Sequence, residues 1–114
     1  MQIIEIQKTI GIILNKVAQQ RKAGDYYGLI TSGIASLEYS YHLIEPMIQA
    51  ESEYRKLEAS EITNGSLGRA ETIAKASEHY KDWQKARYLH DTLLEINLTC
   101  KKLANSNDKE LKAN

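Results

Sequence analysis

The sequence has 114 residues, which is enough for one globular domain and too few for two separate cores. Its 15 basic and 15 acidic side chains balance, which argues against strong, sequence-independent binding of duplex DNA. One proline and six glycines are too few turn residues for a many-stranded β protein. No apolar run is long enough to span a membrane, and the single Cys100 cannot form an internal disulfide. We therefore predict an all-α protein that acts in the cytoplasm.

The first predicted helix runs from Ile3 to a stop at Gly24 and has a wide apolar surface. Most of its isoleucines recur at the three- and four-residue spacing of one helix face. Ile4 and Ile12 lie outside that face, so a single neighbouring helix would leave part of the apolar surface in water. We predict that this helix joins the subunits of a homo-oligomer, and a wide core face is the alternative. The candidate interface residues are Ile3, Ile4, Ile6, Ile10, Ile13 and Val17.

The second predicted helix begins after Asp25, a favourable N-cap residue, and extends to the turn formers of residues 63–68. Its apolar side chains alternate spacings of three and four residues, which predicts coiled-coil-like packing of that face. Pro46 lies within the pattern and removes a backbone hydrogen bond, so we expect a kink or a short break near Glu45. The apolar positions are Ile30, Ile34, Leu37, Tyr41, Ile44 and Ile48.

The third predicted helix extends from Arg69 to Ala104, with an apolar face that includes Tyr80, Trp83 and Cys100. Together with the second helix it predicts a long antiparallel helical hairpin, to which the apolar N-terminal helix is added. Such slender helices expose much surface, so we expect an oligomeric bundle, with a monomeric three-helix bundle as the alternative. Residues 1–104 form a single helical domain in this interpretation, and residues 105–114 form a frayed polar tail.

No residue set in the sequence predicts catalysis, a cofactor or a metal. Glu38, His42 and Glu45 can share a helix face, but helical-bundle metal sites repeat a Glu-x-x-His order that is reversed here and appears once. His79 and His90 have no cysteine or acidic cluster at ligand spacing. Cys100 lies in an apolar stripe, which favours a small buried hydrophobe over a reactive thiol. We therefore predict a protein that is not an enzyme.

The aromatic residues are seven tyrosines and one tryptophan, and several lie among basic residues. Rings interleaved with positive charge are typical of surfaces that bind single-stranded nucleic acid or a protein partner. The alternative, which the spacing favours, is an aromatic core under solvated ion pairs formed with acids such as Glu78 and Asp82. The candidate surface residues are Tyr54, Arg55, Lys56, Arg69, Lys81, Lys85, Arg87 and Tyr88.

Residues Ala50–Ala59, followed by a turn with Ser66, then Ala70-Glu71 to Ala74 and Tyr80, resemble small helical-hairpin accessory proteins of tailed phages. The genes of those proteins often lie beside single-strand-annealing or recombination genes. The resemblance covers residues 26–104, and the pair Tyr80 and Trp83 extends it distantly to the UvsY-type recombination mediators. Those mediators are helical ring-forming proteins that load a recombinase on single-stranded DNA. The resemblance implies a phage protein that acts in the cytoplasm of the host cell.

Two functions remain open at this point. The first is a non-enzymatic oligomeric adaptor, a phage accessory factor that acts with single-stranded DNA or a recombinase. The second is a small inhibitor or anti-defence protein that binds a host protein or a nucleotide signal. Salt-dependent binding of single-stranded DNA distinguishes the first function from the second.

Overall fold

The computed structural model describes the backbone of residues 2–113 and the side chains of residues 2–105. Every regular element in that part of the chain is an α-helix, which confirms the all-α prediction. The helices are α1 (Ile3–Ala23), α2 (Tyr26–Tyr41), α3 (Ile44–Ile62), α4 (Leu67–Lys75) and α5 (Glu78–Ala113).

The connection between α1 and α2 follows the signals in the sequence. Gly24 has a φ of 66°, in the left-handed region that favours glycine, and its N–H donates to the carbonyl of Arg21. Asp25 then caps α2, because its carboxylate accepts a hydrogen bond of 2.9 Å from the N–H of Gly28. The predicted stop and the predicted start are both confirmed.

The predicted second helix is divided into α2 and α3. The break lies at His42 and Leu43, slightly before the position near Glu45 that the sequence indicates. Pro46 therefore falls in the first turn of α3, where the missing N–H costs least because the first backbone donors of a helix have no partner within it. Pro46 therefore lies at the start of a separate helix and does not kink a continuous one.

The predicted third helix is also divided, and a single helix from Arg69 to Ala104 is wrong. α4 ends at Lys75, and the hydroxyl of Ser77 accepts a hydrogen bond of 3.3 Å from the N–H of Tyr80 at the start of α5. The pattern of apolar residues does not indicate this break, because its three- and four-residue spacing continues across it. α5 is helical to Ala113, and the side chains of 106–114, in the predicted polar tail, lie outside the described residues.

Both helices of the predicted long hairpin are therefore divided. The second predicted helix is α2 and α3, and the third is α4 and α5. The turn at residues 63–66 joins α3 to α4, and these two helices pack against each other. The chain divides into two compact units, which we call the first unit (Met1–His42 with Leu89–Asn114) and the second unit (Leu43–Tyr88). α5 contributes to both.

The first unit is formed by α1, α2 and the part of α5 that follows Tyr88. Its buried apolar side chains come from all three helices, and the predicted face of the third helix is confirmed from Leu89 to Cys100. α2 contributes Leu29 and a row of small residues to the interior. The buried residues are Ile6, Ile10, Ile13, Leu29, Ser32, Gly33, Ser36, Ser40, Leu89, Leu93, Ile96, Cys100 and Ala104.

The small residues let α2 approach α5 closely within the first unit. The side-chain amide of Asn97 donates a hydrogen bond of 2.7 Å to the backbone carbonyl of Gly33. A Cβ atom on Gly33 would lie 3.0 Å from the Cβ atom of Cys100, closer than packed carbon atoms normally lie. The interior face of α2 is therefore its small face. Its predicted apolar face is only partly covered within the chain, because Ile30 and Leu37 are half-buried whereas Ile34 is 51% exposed and Tyr41 is 60% exposed.

The second unit is formed by α3, α4 and the start of α5. Two large side chains, Leu43 and Tyr54, and three alanines are buried in it, namely Ala70, Ala74 and Ala86. Ile44 and Ile48, which the predicted stripe places in the interior, are exposed. With so few large aliphatic side chains, the second unit depends on its aromatic residues for packing.

Candidate functional site

Three rings form a cluster in the second unit. Tyr54 comes from α3, whereas Tyr80 and Trp83 are three residues apart and share one face of α5. The rings of Tyr54 and Trp83 are stacked, with centroids 5.5 Å apart and planes 18° apart. Tyr80 lies 5.1 Å from Tyr54 and meets Trp83 edge to face at 5.8 Å. These are favourable ring geometries, and the cluster holds α5 against α3.

Two guanidinium groups lie over the rings. The Cζ atom of Arg55 is 4.8 Å from the ring centroid of Tyr54 and 5.7 Å from that of Trp83. Arg87, one helical turn beyond Trp83, places its Cζ atom 5.9 Å from the same ring. A cation this close to a ring face is attracted by the quadrupole of the ring. The arrangement positions both arginines without a buried ion pair.

Tyr54 is held by a polar contact as well as by stacking. Its side chain is only 3% exposed, and its hydroxyl donates a hydrogen bond of 3.3 Å to Oε2 of Glu58. Burial raises the pKa of Tyr54, and the negative charge of Glu58 raises it further. The phenol is therefore neutral at physiological pH and stays a hydrogen-bond donor to the carboxylate.

A cleft of about 410 Å³ opens beside these rings. Three cations face two carboxylates in it, so its lining carries a net positive charge. Arg55 lies 3.8 Å from Glu58, but within the described side chains neither Lys75 nor Arg87 has a carboxylate at ion-pair distance. The lining residues are Tyr54, Arg55, Glu58, Glu71, Lys75, Tyr80, Trp83, Gln84 and Arg87.

The structure brings together part of the predicted nucleic-acid or partner surface. Tyr54, Arg55 and Arg87 line the cleft. Lys81 is paired with Glu78 at 3.6 Å, an acid that the alternative interpretation names as an ion-pair partner. Lys56 is paired with Glu53 at 3.6 Å, a pair that the sequence did not indicate. The other three predicted residues are exposed and lie outside the lining. They are Arg69, Lys85 and Tyr88.

Several residues of the cleft were missed by the sequence analysis. Gln84 lies one helical turn after Tyr80 on the same face of α5, and that spacing was available in the sequence. Lys75 and Glu71 come from α4, a helix that the sequence does not separate from α5. Their approach to the rings depends on the break at Ser77. Ser77 is a residue type favoured at helix N-caps, but the regular apolar spacing that continues across it favoured a single helix.

The candidate interface on α1 is mostly interior. Ile6, Ile10 and Ile13 belong to the buried residues of the first unit, so the wide core face describes these three side chains. Ile3 and Val17 are half-buried. Ile4 is 56% exposed and lies on the outer side of the helix. Ile12 and Leu14 of the same helix are also exposed, and α2 exposes Tyr27, Ile34 and Tyr41.

Outside the cleft, the described titratable side chains form no second candidate site. In the described part of the chain no group of three His, Cys, Asp or Glu side chains gathers at metal-binding distance. Glu38, His42 and Glu45 are all exposed. Cys100 is buried, which confirms its assignment to the interior, and that burial raises the pKa of its thiol.

Comparison of the chain with protein-family models, with curated proteins and with solved structures finds no match. None of the helices in the described part of the chain combines the length and the hydropathy that crossing a bilayer requires. Evidence for function therefore comes from the geometry of the cleft and from the surfaces of the two units.

Proposed function

We propose that the protein is a non-enzymatic helical adaptor that binds single-stranded nucleic acid at the cleft of the second unit. The observation that supports this is the position of two cations without carboxylate partners, Lys75 and Arg87, beside the stacked ring of Trp83. Single-strand binding needs a ring on which a base can stack and cations that follow the phosphates. The cleft has both within one space.

A single strand fits this site better than a duplex. In a duplex the base faces are covered, so the rings would contribute nothing, and a chain with no net charge has little to gain from phosphates alone. In a single strand each base offers a face, and stacking on an aromatic side chain is worth about 1–3 kcal/mol per base. A cleft of about 410 Å³ accepts one base with its sugar and phosphate, not a helix.

The binding can be measured directly because Trp83 is the only tryptophan of the chain. We expect single-stranded oligonucleotides to quench its fluorescence, and duplexes of the same sequence to quench it little. The apparent affinity should fall as salt is raised, since bound phosphates release counterions. Unchanged fluorescence at all oligonucleotide concentrations, together with no change in anisotropy of a labelled strand, would contradict the proposal.

A double variant tests the two cations. Replacing Lys75 and Arg87 with alanine should weaken binding about tenfold or more and reduce the dependence on salt. The matched control is the double replacement of Lys16 and Arg21 with alanine in α1, which removes the same charge from exposed positions of the first unit. Equal losses in both variants would mean that net charge, and not the cleft, determines binding.

The adaptor is also proposed to self-associate through the outer face of α2. Tyr27 is 78% exposed, and together with Ile34 and Tyr41 it forms a row with a spacing of seven residues. This row is symmetric about Ile34, so a second copy packed antiparallel would place Tyr27 beside the partner's Tyr41. Glu38 is the only charged side chain of α2, and two copies would therefore meet without like charges in contact.

A narrower form of the proposal is a phage accessory factor that acts with a recombinase in the cytoplasm of the host cell. The support for it is the resemblance of Ala50–Ala59, Tyr80 and Trp83 to phage hairpin proteins and to UvsY-type mediators. Self-association and single-strand binding are the two properties that such a mediator combines. Faster loading of a purified phage recombinase on single-stranded DNA would be the corresponding measurement.

The size of the cleft also favours the second function, an inhibitor or anti-defence protein that sequesters a nucleotide signal. A space of about 410 Å³ is that of a single nucleotide, and small-ligand sites start near this volume. Competition decides between the two functions. If a mononucleotide or a cyclic dinucleotide quenches Trp83 more tightly than an oligonucleotide does, the protein binds a signal and not a strand.

A further inference from the structure

The cleft contains carboxylates where a site for phosphate alone would contain none. Glu58 comes from α3 and Glu71 from α4, and both line the same space as Lys75 and Arg87. A carboxylate repels phosphate and costs affinity unless the ligand offers hydrogen-bond donors to it. The ligand therefore combines an anionic part with a part that donates hydrogen bonds.

The two carboxylates are not equivalent. Both oxygens of Glu58 are engaged, since Oε2 accepts from the hydroxyl of Tyr54 and Oε1 lies 3.8 Å from Arg55. Glu71, in contrast, is exposed and takes part in no ion pair with any other described side chain. Glu71 is therefore the carboxylate that is available to a ligand.

Among nucleic-acid bases, hydrogen-bond donors are unevenly distributed. Cytosine presents an exocyclic amino group, and a glutamate or aspartate accepts from that group in base recognition. Uracil has a carbonyl oxygen at the same position, which repels a carboxylate, and its N3–H lies between two carbonyl oxygens. The side-chain amide of Gln84 also lines the cleft and can donate to the ring nitrogen that cytosine leaves unprotonated.

On the basis of the proposed function, we propose that the cleft selects bases with an exocyclic amino group, cytosine over uracil or thymine, and that Glu71 is the selecting residue. The base stacks on Trp83 in place of the guanidinium of Arg87, which lies over that ring in the free protein. Its amino group donates to the carboxylate of Glu71, and its phosphate lies toward Lys75 and the displaced Arg87. Stacking then supplies affinity, and the carboxylate supplies the preference.

Oligomers of deoxycytidine and deoxyuridine of equal length test this preference. The two bases have the same size and lack a methyl group, and they differ only in the amino or carbonyl group and the adjacent ring nitrogen. Titrated against Trp83 fluorescence at mildly alkaline pH, where deoxycytidine strands stay unfolded, the deoxycytidine oligomer should bind about tenfold more tightly. Equal affinities, or tighter binding of deoxyuridine, would overturn the selection while leaving single-strand binding intact. Failure of both strands to bind would instead overturn the proposed function.

The variant Glu71→Ala tests the residue. We expect the preference to disappear because binding of deoxycytidine weakens, whereas binding of deoxyuridine stays the same or tightens once the negative charge is removed. The matched control is Asp82→Ala, which removes one exposed carboxylate from α5 outside the lining. A Glu71→Ala protein that keeps the preference would overturn the assignment. Circular dichroism of both variants verifies that the helices are retained.

Discussion

At the scale of single residues, Tyr54 is where packing and the candidate site meet. Its ring stacks on Trp83, its hydroxyl binds Glu58, and Arg55 covers its outer face. Leu43 and Tyr54 are the two large side chains buried in the second unit, so this tyrosine provides volume that leucine or isoleucine provides in other helical proteins. The same ring therefore stabilises the unit and forms one wall of the cleft.

The raised pKa of Tyr54 predicts a loss of stability at alkaline pH. The folded protein holds the phenol proton more tightly than the unfolded chain, whose pKa is near 10.0. The contribution of this proton is therefore complete below pH 10.0 and is lost as the pH rises through the raised pKa. We expect Tyr54→Phe to cost about 0.5–1.5 kcal/mol at neutral pH, and this cost to shrink above the pKa of free tyrosine.

The measurement is urea unfolding of both proteins at a series of pH values, followed by Trp83 fluorescence. All other side chains are the same in both proteins, so the difference between the two unfolding free energies isolates Tyr54. A difference that stays constant from neutral to strongly alkaline pH would contradict the pKa assignment.

At the scale of helices, α2 shows how a close approach decides which face is buried. A row of Ser and Gly residues faces the interior of the first unit, while Ile34 and Tyr41 face outward. The hydrogen bond from Asn97 to the carbonyl of Gly33 requires the two helices to approach closely at this position. Larger side chains on that face would separate the helices and break the bond.

Two glycine variants test this contact. Gly33→Ala should lower the free energy of unfolding by about 1 kcal/mol, because the added methyl group meets the Cβ atom of Cys100, which side-chain rotation cannot move. Gly11→Ala is the matched control in α1, where nothing lies within 4 Å of the added atom. It should raise the free energy of unfolding by up to about 1 kcal/mol through helix propensity. If both substitutions stabilise equally, α2 and α5 are not in close contact at Gly33.

At the scale of the whole molecule, the first unit exposes several large apolar side chains, among them Tyr27, Ile34 and Tyr41 on α2. We predict a homodimer that pairs through α2, with a mass near twice 12.9 kDa. Ile34→Glu should reduce the mass measured by light scattering to 12.9 kDa without loss of helix, since the side chain is already half exposed.

Two further variants distinguish the interfaces. Asn15→Glu adds the same charge to an exposed polar position of α1 and should leave the dimer intact. Ile4→Glu tests the helix that the sequence indicates as the subunit contact. If Ile4→Glu separates the subunits and Ile34→Glu does not, the interface lies on α1, and a wild-type protein of 12.9 kDa at tens of micromolar would mean that neither face associates.

The local signals of the sequence were sufficient for the class of fold and for several helix ends. Gly24 and Asp25 end one helix and start the next because each acts on its own backbone neighbours, and the apolar face from Leu89 to Cys100 repeats regularly enough to be recognised. The sequence also identified Tyr54, Arg55 and Arg87 as candidate site residues, but it did not show how they are arranged around the cleft.

Only the tertiary structure determined which face of a helix is buried. Periodicity shows that α2 has two different faces, but burial depends on the distance to the neighbouring helix. At Gly33 a Cβ atom would lie only 3.0 Å from that of Cys100, so the small face is the one that fits against α5. The break at Ser77 separates α4 from α5, and Glu71 and Lys75 of α4 line one cleft with Trp83 of α5. Hydrogen bonds within a helix are local and can be read from the sequence, whereas packing joins residues that are distant in the chain.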